Sequence, residues 1–476
     1  MSRSRNGTAN WANLVAHAKL RIRRIREVRK NRVPDETGLR KDVLKLALPA
    51  TGEQLLSMMV SIVDAMLVGH LGASALAAVS LATQWTFMAV TLFAAVSTGS
   101  TALVARSVGG KDWETANRTV RQSVLVGLCI GLATTALAQL FAAPAMALMG
   151  AEPDVLAQGA IYMRVASSVF GLSAVMFVGN ACLRGAGDTR TAMMVMAVVN
   201  VLNVIVAWTA INGPFGLPRL GVAGSALGAA VGRAAGGLLV VSILLKGRSG
   251  LKLDLRHWRP DFGIVRRVLR VGLPTGVEQL TMRLGMMAFV RVVASLGTVA
   301  VAAHTVALRA ESFSFMPGFG FAVAGTTLVG QGLGARDPRW AERSGYLTYQ
   351  MAASLMVVMG LIFILFPHPL IRLFTDDPGV IQTAVTPLRI VGFIQPFLAG
   401  SMVFAGNLRG AGDTRFAMYI TAASIWSIRV PVASLLTFAL GMGLSGAWLG
   451  MSIDQMVRGT IFFLRFRGGR WKLVEV

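Results

Sequence analysis

The chain is poor in charge. Only 14% of its 476 residues are Asp, Glu, Lys or Arg, against about a quarter in ordinary soluble domains. It has 5 histidines and 2 cysteines, Cys129 and Cys182, both inside apolar stretches. Two cysteines so placed exclude a disulfide framework and a zinc site. No glycine loop of the Walker A type with its lysine occurs, which excludes a self-contained ATPase. Scattered His and Cys residues offer neither a nucleophile–base set nor a metal cluster, so the chain is not read as an enzyme and no cofactor is expected. No polar stretch is long enough for a separate soluble domain, and no cleavable signal peptide precedes the first apolar segment. What is abundant is apolar surface: 54% of residues are hydrophobic and the mean hydropathy is +0.62. No water-soluble core hides that much, so the chain is read as an integral membrane protein.

A helical span needs about 20 mostly apolar residues. Twelve such segments occur, at 43–68, 76–106, 120–143, 155–183, 190–212, 220–245, 262–296, 299–331, 343–366, 379–408, 416–440 and 444–464. The basic residues orient them. Lys and Arg outnumber Asp and Glu by 46 to 22, and 36 of the 46 fall in the N-terminal arm and every second loop, while the alternate loops hold only Arg219 and Arg372. That asymmetry puts both termini in the cytoplasm of a multi-pass protein of the plasma (inner) membrane. It also accounts for the net charge of +24 without nucleic acid. The arm from Trp11 to Arg32 carries Leu14, Leu20, Ile22, Ile25 and Val28 among its charges. It reads either as an amphipathic helix on the anionic inner leaflet or as a disordered tail.

The two halves match each other at an offset of 225 residues. Leu48-Pro49 and Glu53-Gln54-Leu55 correspond to Leu273-Pro274 and Glu278-Gln279-Leu280, and Gly109 and Asp112 to Gly334 and Asp337. The run Leu183 to Arg190, Leu-Arg-Gly-Ala-Gly-Asp-Thr-Arg, recurs identically from Leu408 to Arg415. Each half has six spans, an even number, so both enter the membrane the same way round. The expected fold is therefore an all-α integral membrane fold of 12 transmembrane helices, in two six-helix bundles related by a parallel pseudo-twofold repeat about the membrane normal. The expected organisation is a basic arm (1–42), an N-terminal lobe (43–245), a cytoplasmic linker (246–261), a C-terminal lobe (262–466) and a cytoplasmic tail (467–476). The repeated octapeptide is read as structural, its glycines ending one helix and its aspartate capping the next, with a gating role as the alternative.

The order of motifs carries a resemblance. Span one reads Leu-Pro-Ala-Thr-Gly-Glu-Gln-Leu, then Val63-Asp64, then Gly69-His70-Leu71-Gly72. Span eight reads Ala303-His304-Thr305, then Glu311 to Gly318, then Val329-Gly330-Gln331-Gly332-Leu333-Gly334. With the two Gly-Ala-Gly-Asp-Thr-Arg runs, this resembles the MATE family of multidrug and toxic compound extrusion transporters, within the multidrug/oligosaccharide-lipid/polysaccharide flippase superfamily. The resemblance covers residues 43–465. It implies export of drugs, often cationic and amphipathic, in exchange for inward-moving protons or sodium.

Five acids lie within spans: Glu53, Asp64, Glu278, Glu311 and Asp454. An ionised group at bilayer depth costs at least about 2.5 kcal/mol, so each is a functional candidate. Asp64 has no acidic mate, since its counterpart is Phe289. The resemblance implies that an aspartate at this place binds the coupling ion, with Asn203 as its partner. The family's second acid, four residues after Asn203, is here Ala207, and span ten offers only Gln382 and Gln395. A lone carboxylate with an amide is a thin cage for sodium, so protons are favoured as the coupling ion. Glu53 and Glu278 are repeat mates, each four residues after a proline, and their duplication favours an architectural role. Glu311 has Thr86 as its counterpart. It is read as a titrating or cation-contacting group, or as a fixed partner of Arg283 or Arg291. The candidate substrate cavity comprises Glu311, Glu278, Glu53, Gln84, Trp85 and His304, although His304 alone reads more readily as a packed polar residue. The partners expected are small-molecule drugs, the coupling ion and membrane lipids, with the protein a monomer. The competing reading is a flippase or exporter of a lipid-linked or other endogenous metabolite, which rows of arginines lining a central cavity would favour.

Overall fold

A computed structural model describes residues 36–214, 218–254 and 259–475. The segment Trp11 to Arg32, read above as a helix or a tail, lies outside the described residues. Apart from one isolated bridge between Arg248 and Leu251, the described residues form no strands. The first half comprises α1 (Glu36–Gly69), α2 (Ala73–Gly109), α3 (Trp113–Leu148), α4 (Pro153–Ser167), α5 (Phe170–Gly185), α6 (Thr189–Asn212) and α7 (Val222–Lys246). The second comprises α8 (Phe262–Ala294), α9 (Thr298–Gly334), α10 (Pro338–Leu365), a short α11 (Pro367–Arg372), α12 (Pro378–Phe393), α13 (Gln395–Ala411), α14 (Thr414–Ala439) and α15 (Gly443–Arg467).

Eight of these helices are long and apolar enough to cross a membrane by themselves. Two further spans are bent pairs: α4–α5 turns by 54° and α12–α13 by 59°. Segments 155–183 and 379–408 thus each form two helices rather than one. The C-terminal break has a local cause, because Pro396 in the first turn of α13 lacks an N–H and disfavours helix in the residue before it. At the other break the Ser168 hydroxyl donates to the Val165 carbonyl at 2.7 Å, competing with the helical ladder. The remaining two, α8 and α15, run 33 and 25 residues. Their composition falls short because they carry charges such as Arg266, Glu278 and Arg283, or Asp454 and Arg458. Together these make the twelve expected spans.

The halves are related by a twofold axis, and the glycines show why. A β-carbon on Gly109 would stand 2.0 Å from the Gln331 carbonyl oxygen, and one on Gly334 would stand 1.8 Å from that of Arg106. These are the same contact with the halves exchanged, because 109 and 106 correspond to 334 and 331. Gly272 against Ala95 (2.2 Å) and Gly320 against Ala47 (2.7 Å) form another such pair. An operation that restores each contact when applied twice is a twofold rotation. The C-terminal ends of α2 and α9 meet each other, so the axis runs along the spans rather than across them. Inside the halves, Gly224, Gly228 and Gly232 of α7 meet the α6 backbone, the small-residue packing that lets membrane helices approach closely. Gly446 and Gly450 of α15 do the same against α14. In this last span the offset falls to 222. Gly237 rests on the Leu172 carbonyl (2.5 Å) as Gly459 rests on that of Phe397 (2.4 Å).

Candidate ion and substrate site

Asp64 is carried by α1, near the C-terminal end of that helix. Asn203 on α6 donates from Nδ2 to Asp64 Oδ2 at 3.0 Å. The other carboxylate oxygen, Oδ1, is buried without a hydrogen-bond partner, as are Asn203 Oδ1 and Asn200 Nδ2. Arg233 on α7 lies within electrostatic reach of Asp64. Tyr162 on α4 pairs with Thr83 and stands within reach of both charges. Five helices therefore converge on one carboxylate. Sequence reasoning pairs Asp64 with Asn203 but does not single out Tyr162, Thr83 or Arg233. The signal for Arg233 was its cost: a guanidinium at bilayer depth needs a partner.

Glu53 and Glu278 lie elsewhere and hold equivalent ion pairs. Arg184 Nη1 donates to both Glu53 carboxylate oxygens, at 2.9 and 3.3 Å, and Arg409 Nη2 to Glu278 Oε1 at 2.8 Å. These arginines are the first in each copy of the repeated octapeptide, so the octapeptide ties the proline-bearing helix of its own half. Its glycines behave as turn residues, with Gly187 at φ +90° and Gly412 at +88°, where a side chain would be strained. Asp188 caps α6 by accepting from the Thr191 backbone N–H at 3.0 Å. Asp413 does not cap α14 and instead accepts from Arg465 Nε at 2.9 Å. The octapeptide also joins the halves: Thr327 Oγ1 donates to the Arg184 carbonyl and Gln331 Nε2 to that of Gly185, at 3.0 and 3.1 Å.

Glu311 is buried in α9, within electrostatic reach of Arg429 of α14. Arg283 is not its partner, because its guanidinium lies 4.5 Å over the Phe87 ring. His304 is buried between Phe289 and Trp448, each ring centroid 5.7 Å away, with neither nitrogen hydrogen-bonded. Gln84 is exposed on α2. Trp85, next to it, lines a cavity of about 590 Å³ between the first-half helices α2 to α5 and α8 of the second half. Met88, Leu92, Phe141 and Leu273 also line it, and Arg283 is its one charged member. No group of three or more metal-ligating side chains forms among the described residues.

A helical repeat of this symmetry, with a carboxylate at the centre of one half, can be compared with known proteins. The sequence profile of the MatE family matches residues 49–209 and 274–435, two copies that begin 225 residues apart. The chain belongs to the MatE family. Its MATE relatives include a probable multidrug resistance protein NorM of Thermotoga maritima, 35% identical, with 93% of this chain and 96% of that protein covered. An uncharacterized transporter, YisQ of Bacillus subtilis, is 26% identical, with 90% and 94% covered. Among solved structures, an outward-facing conformation of a multidrug resistance MATE family transporter of the MOP superfamily superposes with a TM-score of 0.86. It is 24% identical, and 92% of this chain and 97% of that one are covered. The MatE chain is accordingly a multi-pass membrane transporter with the MATE fold.

Proposed function

We propose that this transporter exports drugs or other amphipathic, often cationic, small molecules across the inner membrane in exchange for protons, by alternating access. The lobes of the mechanism are 43–245 and 262–466, joined by the cytoplasmic linker 246–261, with both termini in the cytoplasm. One observation carries the coupling assignment. Asp64 is an inward-facing carboxylate with one oxygen held by Asn203 and the other buried and unpartnered. An unpaired buried carboxylate oxygen is costly when ionised and is satisfied by a proton. Binding and release of that proton changes the charge of the site by one unit, and a ligand that binds one conformation better than the other shifts the balance between them. The contacts joining α2 to α9 and the octapeptide to α9 lie at the cytoplasmic ends, which supports reading this conformation as closed toward the cytoplasm. The apolar cavity beside Trp85 suits the body of an amphipathic substrate, since soft side chains such as Met88 adapt to varied shapes.

Efflux from proteoliposomes with imposed pH or sodium gradients tests the reading. Asp64→Asn keeps the size and loses the charge. It is expected to abolish pH-driven export while the protein stays folded and retains much of its drug binding. Wild-type export rates in that variant would remove Asp64 from the coupling role. Acceleration by a sodium gradient at constant pH would overturn the choice of ion.

A further inference from the structure

The two halves treat one equivalent place in opposite ways. In the first half Gly228 of α7 packs on Ala207 of α6, and Gly232, one turn further, packs beside Asn203. In the second half Gly450 of α15, the counterpart of Gly228, packs on Ala433 of α14. Ala433 thus stands where Ala207 does, and Arg429, four residues earlier, stands where Asn203 does. By the same step Asp454 stands where Gly232 does. The offset of 225 would have put Ile428 opposite Asn203. A π-helical turn over Ile425–Arg429 inserts one residue and brings the arginine round instead, and such turns often mark functional positions. The counterpart of Asp64 is Phe289, fully buried against the His304 ring. Where the first half holds a carboxylate with an amide, the second holds a guanidinium with a carboxylate.

That guanidinium is held by a buried carboxylate, as a bound cation would be. Asp454 Oδ2 accepts from Arg429 Nη2 at 2.7 Å and Nε at 2.9 Å, and from Arg458 Nη2 at 3.2 Å. The Ser424 hydroxyl donates to Asp454 Oδ1, and Gln455 Oε1 accepts from Arg458 at 2.7 Å. The Asp454 side chain is inaccessible to solvent. Glu311, buried on α9, adds a second acid within electrostatic reach of Arg429. A free monovalent cation would need this same buried carboxylate, and its Oδ2 already holds a charge that cannot leave.

We infer that Arg429 fills a cation site of the C-terminal half as a tethered, permanent cation, so that this half takes up no free coupling ion. The inference rests on the reading of Asp64 as the coupling carboxylate, and it makes ion exchange the work of the N-terminal half alone.

Arg429→Ala in the full chain empties the site and leaves its acids. Methylguanidinium is the probe, with tetramethylammonium at equal ionic strength as the control. The purified variant should melt below wild type. Methylguanidinium should raise its Tm saturably and restore part of its pH-driven export in proteoliposomes, and neither effect should appear in wild type. A monodisperse R429A that responds equally to both cations would overturn the inference. If R429A cannot be recovered, the double variant R429A/D454A removes the charge with its counterion and leaves Arg458 bonded to Gln455, with Glu278 within electrostatic reach. It should be recovered and should keep the wild-type ratio of protons to drug. Loss of coupling at unchanged Tm would overturn the inference, because the pair would then take part in exchange. If Asp64→Asn still couples to the pH gradient, the Asp64 assignment fails separately, and the methylguanidinium result still decides Arg429.

Discussion

Glu53 and Glu278 make the same ion pair in different surroundings, and the difference has consequences. The Glu278 side chain is 2% exposed and also accepts from Thr421 Oγ1 at 3.0 Å, while that of Glu53 is 15% exposed. Removing one member of a buried pair leaves an uncompensated charge and costs about 3–5 kcal/mol, whereas water relieves part of that cost at a partly exposed site. Glu278→Ala should therefore lower Tm in detergent clearly more than Glu53→Ala. Equal shifts would show that burial does not set the cost here. Asp188 offers a pH test at the membrane surface. Burial pushes its pKa up, but hydrogen bonds from Ser249, Thr191 and Arg248 outweigh it and hold the carboxyl below the ordinary value. A depressed pKa contributes stability that is fully present above the unfolded value of about 3.9 and is lost as pH falls through the folded value. Asp188→Asn should accordingly be less stable than wild type near pH 7, and thermal unfolding should show the gap closing below about pH 4. A gap that persists in acid would place the role of Asp188 in shape rather than charge.

The helix ends after α2 and α9 repeat closely. After α2 the chain passes through Lys111 at φ +59°, and after α9 through Arg336 at φ +58°, two non-glycine residues in the left-handed region at equivalent places. Asp112 and Asp337 then cap α3 and α10 by accepting from the backbone N–H groups of Thr115 and Trp340, at 3.0 and 2.9 Å. The hydrogen bonds to Thr115 hold the Asp112 carboxyl below its ordinary pKa. A left-handed non-glycine residue costs roughly 1–2 kcal/mol, partly offset in a glycine variant by the greater entropy of its unfolded chain. Lys111→Gly and Arg336→Gly should each be neutral to stabilising by up to about 1 kcal/mol, read as an unchanged or raised Tm. A fall in Tm for either would mean that the basic side chain contributes more than its backbone costs. The breaks in α4–α5 and α12–α13 and the two π turns in α14, over Ile425–Arg429 and Leu435–Ala439, are departures from helical period that the apolar pattern does not record. Prolines announce two of them, Pro396 at the α12–α13 break and Pro431 just after the π turn over Ile425–Arg429.

At the scale of the whole molecule, the basic loops and the twofold axis agree. The ends of α2 and α9 that meet, around Gly109 and Gly334, belong to the loops rich in Lys and Arg. The topology can be tested with single cysteines at Ser249, in the linker, and at Glu152, between α3 and α4, in a chain whose exposed Cys129 is replaced by Ser. An impermeant thiol reagent added to intact cells should label position 152 and not position 249. Labelling of both from outside would break the twelve-span arrangement. Close packing at the axis gives a further expectation. Gly334→Val adds bulk where even a β-carbon would stand 1.8 Å from the Arg106 carbonyl oxygen. It should part the halves at these helix ends and cut export at least tenfold, measured against Gly69→Val, where an added β-carbon meets nothing and φ is not positive. Export near the wild-type rate would show that this contact does not open and close during transport.

The spans and the duplication are legible in the sequence, because each is a sum over many residues: apolar length and a recurring offset. Asp64 stood out for a related reason, being an isolated charge in a medium that penalises charge, and its pairing with Asn203 follows from two helices whose places in the fold the repeat already implied. Which arginine meets which acid was decided only by the tertiary structure. Glu311 lies within electrostatic reach of Arg429, 118 residues away, while Arg283 lies over the Phe87 ring, because helix rotation and one inserted residue in α14 choose the neighbour. The octapeptide looked like a turn and is one, yet its first arginine also reaches a glutamate 131 residues earlier. Contacts of that kind depend on how the helices pack side by side, and packing is settled by shape and small residues at many interfaces at once, which no single stretch of sequence contains.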